Sequence, residues 1–254
     1  MHSFLTHRLK RLKRSALAKL ALLSPRFSPL LHTPIPLLQK KYGGSNQSKT
    51  LLIFLPGISD TAEDFERRGF IDDMRRHGVT VDAVAVDAHY GYYAARVIHE
   101  RMTDDVIAAA RTAGYERIWL AGISLGGFGA ATYASHHAAH IAGLLLFAPY
   151  LGSPAMIQEV ADAGGIEQWE PGAVAEDDYQ RFLWRWFKEH RAGGASGLQI
   201  YLGYGTRDMF ARANALLADI LPRARVFLVP GGHDWRTWKK IWRMFLADAQ
   251  AFLR

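Results

Sequence analysis

A chain of 254 residues that is 49% apolar, 12% aromatic and 22% charged has the make-up of one folded domain, not of a disordered or fibrous protein. The absence of cysteine excludes disulfides, thiolate metal sites and a cysteine nucleophile, and no apolar run approaches the roughly 20 residues of a membrane-spanning helix. The net charge of +7 is lopsided: ten of the 31 basic residues and no acid lie in residues 1–49, so the other 21 face 24 acids and the body is mildly acidic.

The basic arm comes first. Leu5, Leu9, Leu12, Ala16, Leu20 and Leu23 recur at helical spacing, with Lys10, Arg11, Lys13 and Arg14 off that stripe, so residues 1–23 are predicted to form an amphipathic helix. Pro25 stops it, and the proline-rich run 24–36 is an irregular strap. Three uses suit such an arm: an anchor on an anionic membrane surface, a structural arm packed on the domain, or a cleaved targeting segment. The last is weakened by Lys19 inside the only candidate apolar core. The arm holds no candidate catalytic group and is expected to be dispensable for chemistry. Nucleic acid is not the expected partner. The compartment stays open, although a cytoplasmic protein resting on a membrane suits the arm.

The domain proper is expected over residues 42–254. Strand candidates are Thr50–Leu55, Val81–Val86, Arg117–Ala121, Ile141–Phe147, Leu198–Leu202 and Arg225–Val229. Helical patterns alternate with them near 62–76, 96–113, 126–138, 208–221 and 235–252. This alternation predicts an α/β fold: a mostly parallel sheet, covered by helices on both faces and joined by right-handed crossovers. Residues 150–197 interrupt the rhythm. They carry Trp169, Tyr179, Phe182, Trp184, Trp186 and Phe187 and are expected to form a lid that supplies an apolar acyl pocket, with a crossover helix at 176–190 as the overlapping alternative.

Gly122-Ile123-Ser124-Leu125-Gly126 fits G-x-S-x-G, entered by an apolar strand and left by a Gly- and Ala-rich helix. The turn must be so sharp that the serine is strained and its flanks are small, so Ser124 is the candidate nucleophile. A serine hydroxyl needs a base. His233, on the glycine loop after the last strand, fits better than His190 inside a charged helix. Asp208 follows the preceding strand and is the candidate acid that orients the base; capping the next helix is its simpler use. Asp234 and Asp87 are ranked lower. The oxyanion donors are expected to be the N–H groups of Leu125, next to the nucleophile, and Ile58, in the loop Pro56-Gly57-Ile58-Ser59. Thr61 and Asp64 suit a capping box. His136 and His140 lie four apart but lack the glutamate of a zinc protease motif, so no metal and no cofactor is expected.

With these motifs in order, residues 50–254 resemble the α/β-hydrolase superfamily. The ending Gly232-His233-Asp234-Trp235…Trp238 resembles serine esterases of the esterase D and feruloyl esterase type, with Pro56-Gly57 standing where many members carry His-Gly. The resemblance implies hydrolysis of a small-molecule or lipid-like carboxylic ester through an acyl-enzyme. Thioesterases and acyltransferases share the machinery, and a non-catalytic hydrolase-like body tethered to a membrane or nucleic acid is the alternative from another class.

Overall fold

The computed structural model describes residues 2–23, 39–42, 48–175, 177–190 and 197–252. The strands are β1 (Gln39–Tyr42), β2 (Thr50–Leu55), β3 (Asp82–Val86), β4 (Arg117–Ile123), β5 (Gly143–Phe147), β6 (Gln199–Gly205) and β7 (Val226–Val229). They form one sheet in the order β1-β3-β2-β4-β5-β6-β7. All neighbours are parallel except β1, which runs antiparallel to β3 with Gln39 opposite Val86. Every residue of β2, β3 and β5 is buried, which fits apolar runs covered on both faces. The edge strand β1, Gln-Lys-Lys-Tyr, was not foreseen, because four mostly polar residues carry no burial pattern.

The helices are α1 (His2–Leu23), α2 (Ala62–Arg67), α3 (Phe70–Arg76), α4 (Tyr90–Ala94), α5 (Ile98–Arg101), α6 (Ala108–Thr112), α7 (Leu125–His137), α8 (Pro154–Asp162), α9 (Tyr179–Glu189), α10 (Ala211–Ala218) and α11 (Trp235–Phe252). Two expected helices are divided. The run 62–76 breaks at Gly69, whose φ of +78° lies in the left-handed region. The run 96–113 passes through a π-helical segment, Met102–Ile107, between α5 and α6. Asp64 caps α2 as expected, accepting from the Thr61 N–H at 3.0 Å.

Helix α11 buries one face, made of Trp235, Trp238, Ile241, Trp242, Phe245 and Leu246. The spacing is helical, so the residues form a single stripe against the sheet. Trp242 stacks on Phe70 at 5.4 Å and donates its indole N–H to the Phe70 carbonyl at 3.0 Å. The cluster continues through Phe54, Phe65 and Phe147. Burying each such ring contributes about 1.5–3 kcal/mol, and together they fix the end of the chain that carries the loop before α11.

Between β5 and β6 the described residues of 150–197 include α8 and α9. Trp169, Trp184 and Phe187 are turned into the core, and the Trp184 indole donates to the Leu151 carbonyl at 2.7 Å. The crossover-helix alternative thus describes α9, which packs against α7. The proline-rich strap 24–36 and residues 43–44 lie outside the described residues.

Candidate active site

The loops after β2, β4, β6 and β7 all leave the carboxyl edge of the sheet. The chain goes from β2 outward to β3 and then returns past β2 to β4, so the sheet reverses its winding between β2 and β4. Ligands of open α/β sheets bind outside the strand ends at such a point.

Ser124 sits there, between β4 and α7, with φ +53° and ψ −113°. A non-glycine residue in that region costs on the order of 1–3 kcal/mol. The strain is held by backbone bonds: the Ser124 N–H donates to the Phe147 carbonyl at 3.0 Å, and its carbonyl accepts from the Tyr150 N–H at 3.0 Å. The flanking glycines are required by close approach. A Cβ on Gly122 would lie 2.3 Å from the Gly126 carbonyl oxygen, and one on Gly126 would lie 2.2 Å from the Leu55 carbonyl oxygen. This is the physical content of the G-x-S-x-G spacing.

The His233 Nε2 lies 3.0 Å from the Ser124 Oγ. On the far side of the ring, Nδ1 lies 3.0 and 2.9 Å from the two carboxylate oxygens of Asp208. The three residues named from sequence are therefore brought into one line. Phe210 and Trp238 each meet the imidazole edge-on at 5.0 Å and restrict its rotation. The loop below is pinned by the Thr206 N–H donating to Val229 and the Arg207 N–H donating to Gly231. Asp208 also accepts from the Phe210 N–H at 2.8 Å, in the turn before α10; the N-cap of α10 is Phe210, so capping that helix, the simpler use weighed for Asp208, is not its role. Asp234 instead caps α11, accepting from the Thr237 N–H at 2.9 Å.

Ile58 and Gly57 line the cavity that opens on Ser124 and His233. Leu125 is the first residue of α7, where a backbone N–H has no partner within the helix and the dipole is positive. The cavity is about 570 Å³, and its other walls include Ser59, Asp60, Trp235 and Trp238. Among the described residues of 150–197, none is among its walls. The reason is the inward packing of Trp169, Trp184 and Phe187 described above.

Arg11 also lines the cavity, so the arm reaches the site. His7, Lys10, Arg11 and Arg14 of helix α1 face the domain, while Lys13 is exposed. Arg14 forks onto Asp87 at 2.6 and 2.5 Å, Lys10 reaches Asp87 at 3.0 Å, and His7 meets Asp64 at 3.2 Å. Arg11 pairs with Asp60 at 3.2 Å. Burial pushes the Asp87 carboxyl up, but the Arg14 fork and Lys10 outweigh it and hold it down to about 2. Leu9 and Leu12 of the same helix face away, 65% and 59% exposed. Sequence reasoning missed Arg11, Arg68 and Arg236 as cavity residues. The signal available was only the cluster of positive charge near the N-terminus, without its partners.

The fold and the strained serine at its sheet edge define an α/β-hydrolase. The chain belongs to the Esterase family, described as "Putative esterase", which matches residues 38–253, and it is a serine esterase that hydrolyses carboxylic esters. Solved structures share the fold at low identity. The fluorophosphonate-binding serine hydrolase FphF of Staphylococcus aureus is 13% identical, with a TM-score of 0.57, over 83% of this chain and 96% of that one. An S-formylglutathione hydrolase (FrmB) of the same organism is 14% identical, with a TM-score of 0.55, over 83% and 94%. Est1E from Butyrivibrio proteoclasticus, solved with ferulic acid, is 17% identical, with a TM-score of 0.52, over 85% and 96%. No curated protein matches the chain. No helix among the described residues is long and apolar enough to cross a membrane.

Proposed function

We propose that Ser124, His233 and Asp208 act as the nucleophile, base and orienting acid of a two-step acyl transfer to water. The observation that carries this is the imidazole held at 3.0 Å from the serine oxygen on one side and at 2.9 Å from a carboxylate on the other. Ser124 Oγ attacks the ester carbonyl while its proton passes to His233 Nε2. The carbonyl oxygen gains the negative charge and takes hydrogen bonds from the N–H groups of Ile58 and Leu125. Collapse expels the alcohol, which takes the proton from His233. Water then gives its proton to the same imidazole, attacks the acyl-serine, and releases the acid and free Ser124. Asp208 stays ionised throughout and keeps the proton-bearing nitrogen turned away from the serine.

An acceptor alcohol in place of water would make the same site an acyltransferase, and a thioester would enter as an ester does. The substrate class proposed is a small or lipid-like acyl ester. A second reading, favoured by the exposed Leu9 and Leu12, lays α1 on a membrane surface. Lys10, Arg11 and Arg14 are engaged by the domain, so apolar contact with little salt dependence is expected in vesicle sedimentation.

Aryl-ester hydrolysis tests the first proposal. Ser124→Ala lowers kcat by about four to six orders of magnitude with the fold retained, and Asp208→Asn by about three to four. Near-normal turnover by folded Ser124→Ala contradicts the assignment.

A further inference from the structure

Three arginines surround the cavity: Arg11 from α1, Arg68 from the turn after α2, and Arg236 from the first turn of α11. They come from three separate parts of the chain, and the fold brings them to one opening. Two carboxylates share that wall, Asp60 and Asp234. Both are already committed. Asp60 is buried, accepts the Trp235 indole N–H at 3.1 Å and pairs with Arg11 at 3.2 Å. Asp234 holds the Thr237 N–H and hydroxyl at 2.9 and 3.2 Å. Arg68 lies over the Trp235 ring at 5.7 Å, and neither it nor Arg236 forms an ion pair among the described residues. A positive rim over a low-dielectric cavity attracts and positions an anion, and guanidinium forks suit carboxylate and phosphate oxygens.

Resting on the acyl-transfer reading of the site, we propose that its preferred ester carries a second, anionic group, a free carboxylate or a phosphate, seated between Arg11, Arg68 and Arg236. Arg11 lies on α1, outside residues 38–253 that match the family, so part of this selectivity is an addition made by the arm. The Arg14 fork on Asp87 then has a functional sense: one helical turn from Arg11, it fixes the height at which that guanidinium stands over the cavity.

The test compares matched esters on the full-length protein. Each pair differs only in charge: 4-nitrophenyl hydrogen glutarate with its methyl ester, and 4-nitrophenyl 4-phosphonooxybutanoate with its dimethyl ester. The proposal expects kcat/KM for at least one anionic member to exceed its neutral partner by about tenfold or more. The gain resides mainly in KM, shrinks as salt rises, and identifies the anion by the pair in which it is larger. Arg236→Gln, at an exposed position with no bonded partner among the described residues, lowers the ratio several-fold, and Arg11→Gln does the same. Equal or better use of the neutral member in both pairs overturns the proposal. Titration of Ser124→Ala with the same compounds separates the two ideas. Tighter, salt-sensitive, Arg236-dependent binding of the anionic member upholds the anion site even if wild-type turnover refutes the acyl-transfer reading. Indifference to charge in that titration refutes the anion site alone.

Discussion

Two regions meet at the cavity and are held there by opposite means. The Ser124 turn is fixed by what has no room to move: glycine Cα atoms against carbonyl oxygens, and an apolar sheet on either side. Helix α1 is fixed by charge. His7, Arg11 and Arg14 are tied to Asp64, Asp60 and Asp87, and Leu9 and Leu12 are left exposed. Steric fixation is indifferent to pH and salt, whereas ion pairs respond to both. The proposed chemistry therefore stands on the unresponsive part, and the part of the cavity wall contributed by Arg11 stands on the responsive one.

The contrast is broken most severely at the turn. Gly126→Ala places a carbon 2.2 Å from the Leu55 carbonyl oxygen, which backbone cannot relieve by a side-chain movement. The expected outcome is loss of the soluble, cooperatively melting protein, read by circular dichroism; a normally stable and active variant would contradict the steric account. Next in size is Arg14→Gln. It removes the fork from a buried carboxylate and costs about 3 kcal/mol, concentrated in α1. Limited proteolysis should cut the first 23 residues much faster while the melting of the rest shifts little. Uniform destabilisation of the whole chain would show that α1 is part of the core.

The smallest effect is that of acid. The folded-state pKa of Asp87 is depressed, so its pairing stabilises the docked helix above the ordinary value of 3.8 and is lost as pH falls through about 2. That corresponds to on the order of 2 kcal/mol. Hydrogen exchange in α1 should rise between about pH 4 and pH 2 before the exchange of β2, β4 and β5 does. Exchange that rises together everywhere would remove the distinction between the two regions.

The same contrast decides what was legible in the sequence. The steric region is local. Gly122, Ser124 and Gly126 lie within one turn, and the strands entering the loops of Asp208 and His233 announce themselves as apolar runs. The order of the loops along the chain then brought Asp208 and His233 to Ser124. The charged region is not local. An amphipathic pattern in residues 1–23 says that two faces exist but not which one meets the domain, and here the partners of Lys10, Arg11 and Arg14 lie some 46 to 77 residues away. Arg68 and Arg236 escaped notice for the same reason. The aromatic insertion was ambiguous because Trp169 and Trp184 are as suited to a core as to an acyl pocket, and packing buries both. The edge strand β1 depends wholly on its pairing with β3.

Stoichiometric labelling of the full-length protein by a fluorophosphonate, followed by intact mass and peptide mapping, tests the central claim most directly. Attack by an activated serine forms the P–O bond and expels fluoride, so the account predicts one adduct per chain, on Ser124. Formation should be slowed by orders of magnitude in His233→Gln and be absent in Ser124→Ala. An adduct on another residue, or labelling at an unchanged rate in folded Ser124→Ala, would show that the chemistry lies elsewhere.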